Sequence, residues 1–168
     1  MLDDAEGEGE ALARVAQVYF ARGSWDAGIE RLPPLIERLE QRQPSRALGL
    51  LYACVAMVMP AQAAARLGAA TRATELARAL RDDDLLVQTE ARHGFVLMLV
   101  GQLPEARRVV EAILPLAEAR HAYDALAIIS GVLGEVLKLQ GDIRGYLVQS
   151  ERGERPAIRR HWWVLCRA

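Results

Sequence analysis

The sequence has little net charge and little cysteine, and both shortages narrow what the chain can be. A formal charge of −1 over 168 residues offers no field that would hold a nucleic-acid backbone, so we expect no direct nucleic-acid binding. The two cysteines, Cys54 and Cys166, have no second cysteine or histidine at metal-ligand spacing, which argues against a zinc site. Reduced thiols suit the cytoplasm, where we expect the protein to reside.

An uninterrupted apolar run of membrane-spanning length is also missing. The longest apolar run, residues 47–65, is broken by Gly49, Pro60 and Gln62, which predicts a buried core helix rather than a membrane span. No positively charged start precedes an apolar segment, so a secretory signal peptide is not expected. The sequence therefore gives no indication of a membrane partner.

The composition favours helices and a packed core. Alanine and leucine dominate, β-branched residues are few, and apolar residues make up 52% of the chain. The apolar stripes predict eight helices, near residues 8–22, 25–42, 46–59, 62–81, 85–100, 103–120, 123–140 and from 142 onwards. Pro33 and Pro34 should kink or restart the second helix. Asp82, Asp83 and Asp84 should supply the cap and first-turn carboxylates of the fifth.

A spacing of 40 residues recurs along the chain. Gly101 and Gly141 each separate two apolar segments, and Gly94 and Gly134 lie seven residues before them. Small residues continue this second series towards the N-terminus: Cys54 and Ala16. Such a period is typical of stacked helical repeats, in which each unit covers the apolar face of its neighbour. We therefore predict an all-α superhelix of about four antiparallel helix hairpins, forming one domain over residues 1–168.

The C-terminal segment matches the beginning of a further hairpin. Residues 161–168 follow the start of a first helix, and Trp162 and Trp163 have no covering neighbour in that arrangement. We infer that the sequence is a fragment of a longer repeat array and that it self-associates through this end. The alternative is that these residues fold back as a terminal cap, which repeat proteins need.

The repeat resembles a known pattern. Gly94, Gly101 and Ala106, at relative positions 8, 15 and 20, resemble the tetratricopeptide repeat, whose small residues let two helices pack closely. The lengthened units, with Gly101-Gln-Leu-Pro-Glu-Ala-Arg, are similar to the sensor regions of large ATP-binding bacterial transcriptional regulators of the maltose-activator and LuxR-type group. The resemblance implies a regulatory domain that binds a protein, a peptide or a small-molecule inducer. Tyr146, at position 20, and Pro60, at the turn of the second unit, depart from the pattern.

No residue pattern typical of catalysis is found in the sequence, so we expect a non-catalytic module without a metal or cofactor. The three histidines never lie four residues apart, and neither a nucleophile elbow nor a phosphate-binding loop occurs. His93 lies on an apolar stripe, where we expect a hydrogen-bonded, half-buried side chain. The alternatives are a structural spacer and an enzyme with a pocket between helices.

If the tetratricopeptide frame carries over, one face of each first helix lines a concave groove. In that frame, Ala13, Leu51 and Ala91 lie on the same face as the candidate binding residues. Those candidates comprise three apolar and three polar side chains: Val55, Phe95, Met98, Gln17, Gln88 and Glu135. Apolar contacts would hold a peptide or helix, and the polar groups would set its orientation. The alternative is that neighbouring units fill the groove, in which case the module would be a spacer.

Overall fold

The computed structural model describes residues 4–21, 29–58 and 63–159, and it is helical throughout these ranges. It contains there a short 3₁₀ helix, Ile29–Arg31, and eight α-helices. In chain order the α-helices are α1 (Ala5–Ala21), α2 (Leu32–Glu40), α3 (Arg46–Val58), α4 (Ala63–Leu80), α5 (Asp83–Leu99), α6 (Leu103–Ala119), α7 (Tyr123–Leu139) and α8 (Ile143–Arg159). The prediction of an all-α protein is confirmed for this part of the chain.

The predicted helix boundaries lie within three residues of the observed ones, except in the second helix. The chain there forms the 3₁₀ helix and restarts as α2. Pro33 and Pro34 lie in the first turn of α2, where their missing amide hydrogens leave no bond unmade. Helix α6 continues through Pro115, and α8 through position 156. Predictions for residues 22–28, 59–62 and 160–168 lie outside the described ranges.

One type of turn connects the helices from α4 to α8, and it recurs every 20 residues. Its left-handed residue has φ between 51° and 83° and is, in turn, Arg81, Gly101, His121 and Gly141. In the second of these turns, the Gly101 amide donates to the Met98 carbonyl (3.0 Å) and the Gln102 amide to the Leu97 carbonyl (2.9 Å). The other three repeat this bonding. This Schellman arrangement satisfies the last carbonyls of each helix.

Substitutions at two of these left-handed positions should have opposite effects on stability. Glycine adopts φ > 0 without steric cost, whereas another L-residue there loses about 1 kcal/mol. We therefore expect His121→Gly to raise the free energy of unfolding by about 0.5 kcal/mol and Gly141→Ala to lower it by about 1 kcal/mol. Urea unfolding followed by circular dichroism measures both. Changes of the same sign would contradict the role of the left-handed residue.

The chain divides into two compact units, Met1–Thr89 and Glu90–Ala168, with the boundary inside α5. In the first unit, α3 packs against α1 and α4, and α2 contacts both α1 and α3. The Cys54 thiol lies 3.5 Å from the Ala13 carbonyl oxygen, so small residues of α1 and α3 meet. A Cβ at Gly49 would lie 2.9 Å from the Leu85 side chain, so α3 needs glycine at this position. The predicted single domain stays a prediction.

Asp82 caps α5, as the sequence predicts, and also ties it to α3. Its Oδ1 accepts the Leu85 amide at 2.9 Å, and its Oδ2 accepts the Arg46 guanidinium from the first turn of α3. Burial raises the pKa of the Asp82 carboxyl, but the bonds from Leu85 and Arg46 outweigh burial and hold that pKa below its usual value. Asp83 and Asp84 lie in the first turn, where carboxylates favour the helix dipole.

A side chain binds the C-terminal carbonyls of α3. Arg66 of α4 donates from Nε to the Ala56 carbonyl (2.9 Å) and from Nη2 to the Met57 carbonyl (3.2 Å). A charged group therefore satisfies carbonyls that the Schellman turn satisfies in the later helices.

In the second unit, α7 packs against both α6 and α8. A Cβ at Gly94 of α5 would lie 2.3 Å from Val110 Cγ1 of α6, which confirms the predicted close contact. A Cβ at Gly134 would lie 3.4 Å from the ring of Tyr146 in α8, an ordinary contact. The difference arises because Tyr146 stands where α6 has the small residue Ala106, so the helix backbones need not approach as closely.

Candidate functional site

Three of the six predicted binding residues lie in the first unit: Gln17, Val55 and Gln88. Gln17 belongs to α1, and its side chain lies outside the described part of the structure. Val55 of α3 is half-buried against the core of this unit, and Gln88 of α5 is half-buried as well. Ala13 and Leu51, expected on the same groove face, are 0% exposed. This expectation was wrong because α1 and α3 pack through those positions.

The other three predicted residues lie in the second unit: Phe95, Met98 and Glu135. All three are half-buried. Phe95 and Glu135 continue, at 40-residue spacing, the position that Val55 occupies in α3. The residue before each member of this series is small and buried: Cys54, Gly94 and Gly134. One position thus packs inside the hairpin while the next keeps part of its surface open, as the repeat frame predicts.

Two further exposed apolar residues escaped the sequence reasoning. Leu99 and Leu139 are 48% and 60% exposed and lie 40 residues apart. Each follows Phe95 or Glu135 by four residues and therefore lies on the same helix face. Apolar stripes assign leucines to the core, which is why these two were passed over. The available signal was the repeated leucine two positions before each turn glycine.

Leu99 and Leu139 lie at the same end of the second unit. Gly94 of α5 contacts Val110 of α6 across a tight turn, and α7 contacts α6 across the next one. Helices α5 and α7 therefore both run antiparallel to α6, and their C-terminal ends point the same way. We call this face of the two helices the inner row: Phe95, Met98, Leu99, Glu135 and Leu139.

The charged part of the inner row is an ion pair on α7. Lys138 Nζ lies 2.6 Å and 2.8 Å from the two carboxylate oxygens of Glu135, and 5.7 Å from the ring centre of Tyr146. The hydrogen bond to Glu135 is the main cause that raises the pKa of the Lys138 ammonium. A Cβ at the neighbouring Gly131 would meet no atom within 4 Å. The α7 backbone is therefore open to an approaching group at this point.

His93 departs from the expectation of a hydrogen-bonded side chain. It is half-buried, with 17% of its side chain exposed, but its Nδ1 has no hydrogen-bond partner among the described residues. The Oε2 atom of Glu90 lies 3.7 Å away, which is too far for a hydrogen bond. The two side chains, three residues apart on one helix, are neighbours without being bonded.

A cleft of about 340 Å³ lies between α6, α7 and α8, a volume that suits a small molecule. Its lining combines apolar side chains with four polar ones: Leu114, Leu126, Ile129, Leu133, Glu118, Ser130, Gln149 and Arg152. The α7 residues of the cleft are on the helix face opposite the inner row. The sequence reasoning proposed a pocket between helices only as an alternative and assigned it no residues.

No protein-family model matches this chain, and a search of curated proteins also finds no match. Within the ranges that the structure describes, no three His, Cys, Asp or Glu side chains are grouped so that they could hold a metal ion. None of the described helices combines the length and apolar character needed to cross a bilayer. The functional argument therefore depends on the geometry of the helices and of their exposed faces.

Proposed function

We propose that this chain is a tetratricopeptide-like repeat module, the regulatory region of a bacterial signalling ATPase or transcriptional regulator. The 20-residue period of the turns supports this, because two helices and two turns make a 40-residue unit. The packing of Gly94 against Ala106 and Val110 supports it too, because these are small-residue positions of the resembled repeat. In this proposal the hairpins stack into a right-handed superhelix.

The module would bind an apolar peptide or helix without catalysing a reaction. The observation that carries this proposal is the exposure of Leu99 and Leu139 at one end of the second unit. Covering a leucine side chain contributes about 1.5–3 kcal/mol, so two of them with Phe95 would supply most of a micromolar affinity. Rigid helices lose little ordering entropy on binding, which preserves that gain.

The polar groups of the inner row would orient the partner. Glu135 and Lys138 already neutralise each other, so they can accept opposite charges on a ligand without a net electrostatic preference. We therefore expect the affinity to vary little with salt concentration, unlike the affinity of a protein for nucleic acid.

A structural spacer is the second candidate function, and one observation favours it. In the first unit, the groove positions Ala13 and Leu51 are completely buried, so helix packing fills that part of the expected groove. A spacer would leave the inner row without a ligand.

The binding proposal can be tested with a random peptide library displayed on phage and selected on the immobilised full chain. Selected peptides are then synthesised and measured by calorimetry. We expect apolar consensus sequences, and we expect Phe95→Ala and Leu139→Ser each to weaken binding at least tenfold, because each removes buried apolar contact. The matched control is Leu147→Ser on α8, a leucine of similar exposure (56%) that should leave the affinity unchanged.

Two outcomes would contradict the proposal. One is a failure to select any peptide, which would favour the spacer. The other is binding that survives Phe95→Ala and Leu139→Ser but disappears in 0.5 M salt, because the site would then be on an arginine-rich surface. Circular dichroism of each variant shows whether its helical content is unchanged.

A further inference from the structure

The last described helix, α8, has an apolar face that its own hairpin leaves exposed. Ile143 and Leu147 are each 56% exposed, and Val148 is 46% exposed. The opposite face of α8 packs against α7, where Tyr146 and Gln149 lie next to Gly134. The exposed apolar side chains are therefore not needed to hold the hairpin together.

A comparison with α6 indicates that a following repeat would not cover this face. Leu147 and Val148 correspond, 40 residues earlier, to Arg107 and Arg108. Both arginines are exposed although another hairpin follows α6, and Arg107 pairs with Glu111 of the same helix at 2.8 Å. A further hairpin after α8, packed in the same way, would leave Leu147 and Val148 exposed to solvent. An apolar pair at a position that is charged in α6 needs a different occupant.

Two opposite charges lie symmetrically about the apolar pair. Arg144 and Glu151 are both exposed, and each lies three and a half residues, about 5 Å along the helix, from the midpoint between Leu147 and Val148. The sequence places no acidic residue three or four positions from Arg144, where it could form a pair within α8. If two α8 helices packed antiparallel about this midpoint, Arg144 of each copy would lie opposite Glu151 of the other.

We propose that the protein associates with a second copy of itself through α8, in an antiparallel, two-fold symmetric contact. Leu147 and Val148 of both copies form its apolar centre, and two Arg144–Glu151 pairs lie on either side. Such a contact is self-complementary and closes at two copies. The face of one helix is smaller than the roughly 800 Å² per partner of a stable interface, so the dimer is weak, with a Kd on the order of 0.1 mM. This surface is separate from the inner row.

Sedimentation velocity of the full chain, over a concentration range from about 10 µM to 1 mM, tests the proposal. We expect a monomer–dimer equilibrium for the wild type and at least tenfold weaker association for Leu147→Arg, which restores the residue type found in α6. The control Leu99→Arg changes a residue of comparable exposure (48%) on the inner row and should dimerise as the wild type does. Circular dichroism confirms that each variant is folded.

A charge exchange tests the antiparallel arrangement itself. Arg144→Glu and Glu151→Arg should each be monomeric, because each faces like charges in its own dimer. An equimolar mixture of the two should dimerise, because both pairs then join opposite charges. A wild type that stays monomeric throughout, association that persists in Leu147→Arg, or a mixture that stays monomeric would each overturn the proposal. Persistent association would place the interface elsewhere, for example in residues 160–168.

Discussion

Replacing Gly94 by leucine is expected to lower the free energy of unfolding by about 2–3 kcal/mol. Even a Cβ at this position would lie 2.3 Å from Val110 Cγ1, and the Ala106 carbonyl oxygen is 3.5 Å away. Helices α5 and α6 must therefore move apart to admit the side chain, which separates other buried contacts between them. Thermal and urea unfolding of the full chain measure the loss.

Two matched variants separate overpacking from the general effect of changing a residue. A Cβ at Gly131, also inside a helix, meets no atom within 4 Å, so Gly131→Ala should stabilise the protein by about 0.5–1 kcal/mol. Glu37→Ala, at an exposed position, should change stability by less than about 0.5 kcal/mol. Equal losses for Gly94→Leu and Gly131→Ala would show that the repeat frame is wrong.

Replacing Asp82 by alanine is expected to cost about 2 kcal/mol at pH 7. About 1 kcal/mol comes from the lost cap of α5, where Oδ1 accepts the Leu85 amide, and the rest from the partly buried pair with Arg46. The control is Asp142→Ala, which removes a cap of the same kind, to the Gly145 amide at 2.8 Å, from an exposed aspartate. That variant should lose only about 1 kcal/mol.

The effect of Asp82→Ala should also depend on pH. Burial alone would raise the pKa of Asp82, but the bonds from Leu85 and Arg46 lower it below that of the unfolded chain, about 3.9. The charged carboxylate therefore contributes its full stabilisation above pH 4–5, and this contribution is lost as the pH falls through the folded-state pKa. Urea unfolding at pH 7 and pH 2.5 should give a smaller difference between wild type and variant at the lower pH. A difference that stays constant would contradict the ion-pair assignment.

The sequence by itself determined the helices and their ends, because these depend on local chemistry. Gly101 and Gly141 adopt the left-handed conformation that ends a helix, Asp82 caps α5, and Pro33 and Pro34 begin a helix rather than continue one. The 40-residue spacing also placed Gly94 at a close helix contact before any coordinates were considered. These features involve neighbours along the chain or the partner helix of one hairpin.

Only the tertiary structure decided which apolar faces stay open. Periodicity identifies a stripe of leucine and alanine but not the element that covers it, since that element is distant in sequence. Leu51 is completely buried, whereas Leu99 and Leu139 are about half exposed, although all three belong to apolar helices. The unbonded Nδ1 of His93 has the same cause, because a hydrogen bond depends on distances that packing sets. Exposure is a property of the assembled helices, so the candidate surfaces became apparent only in the fold.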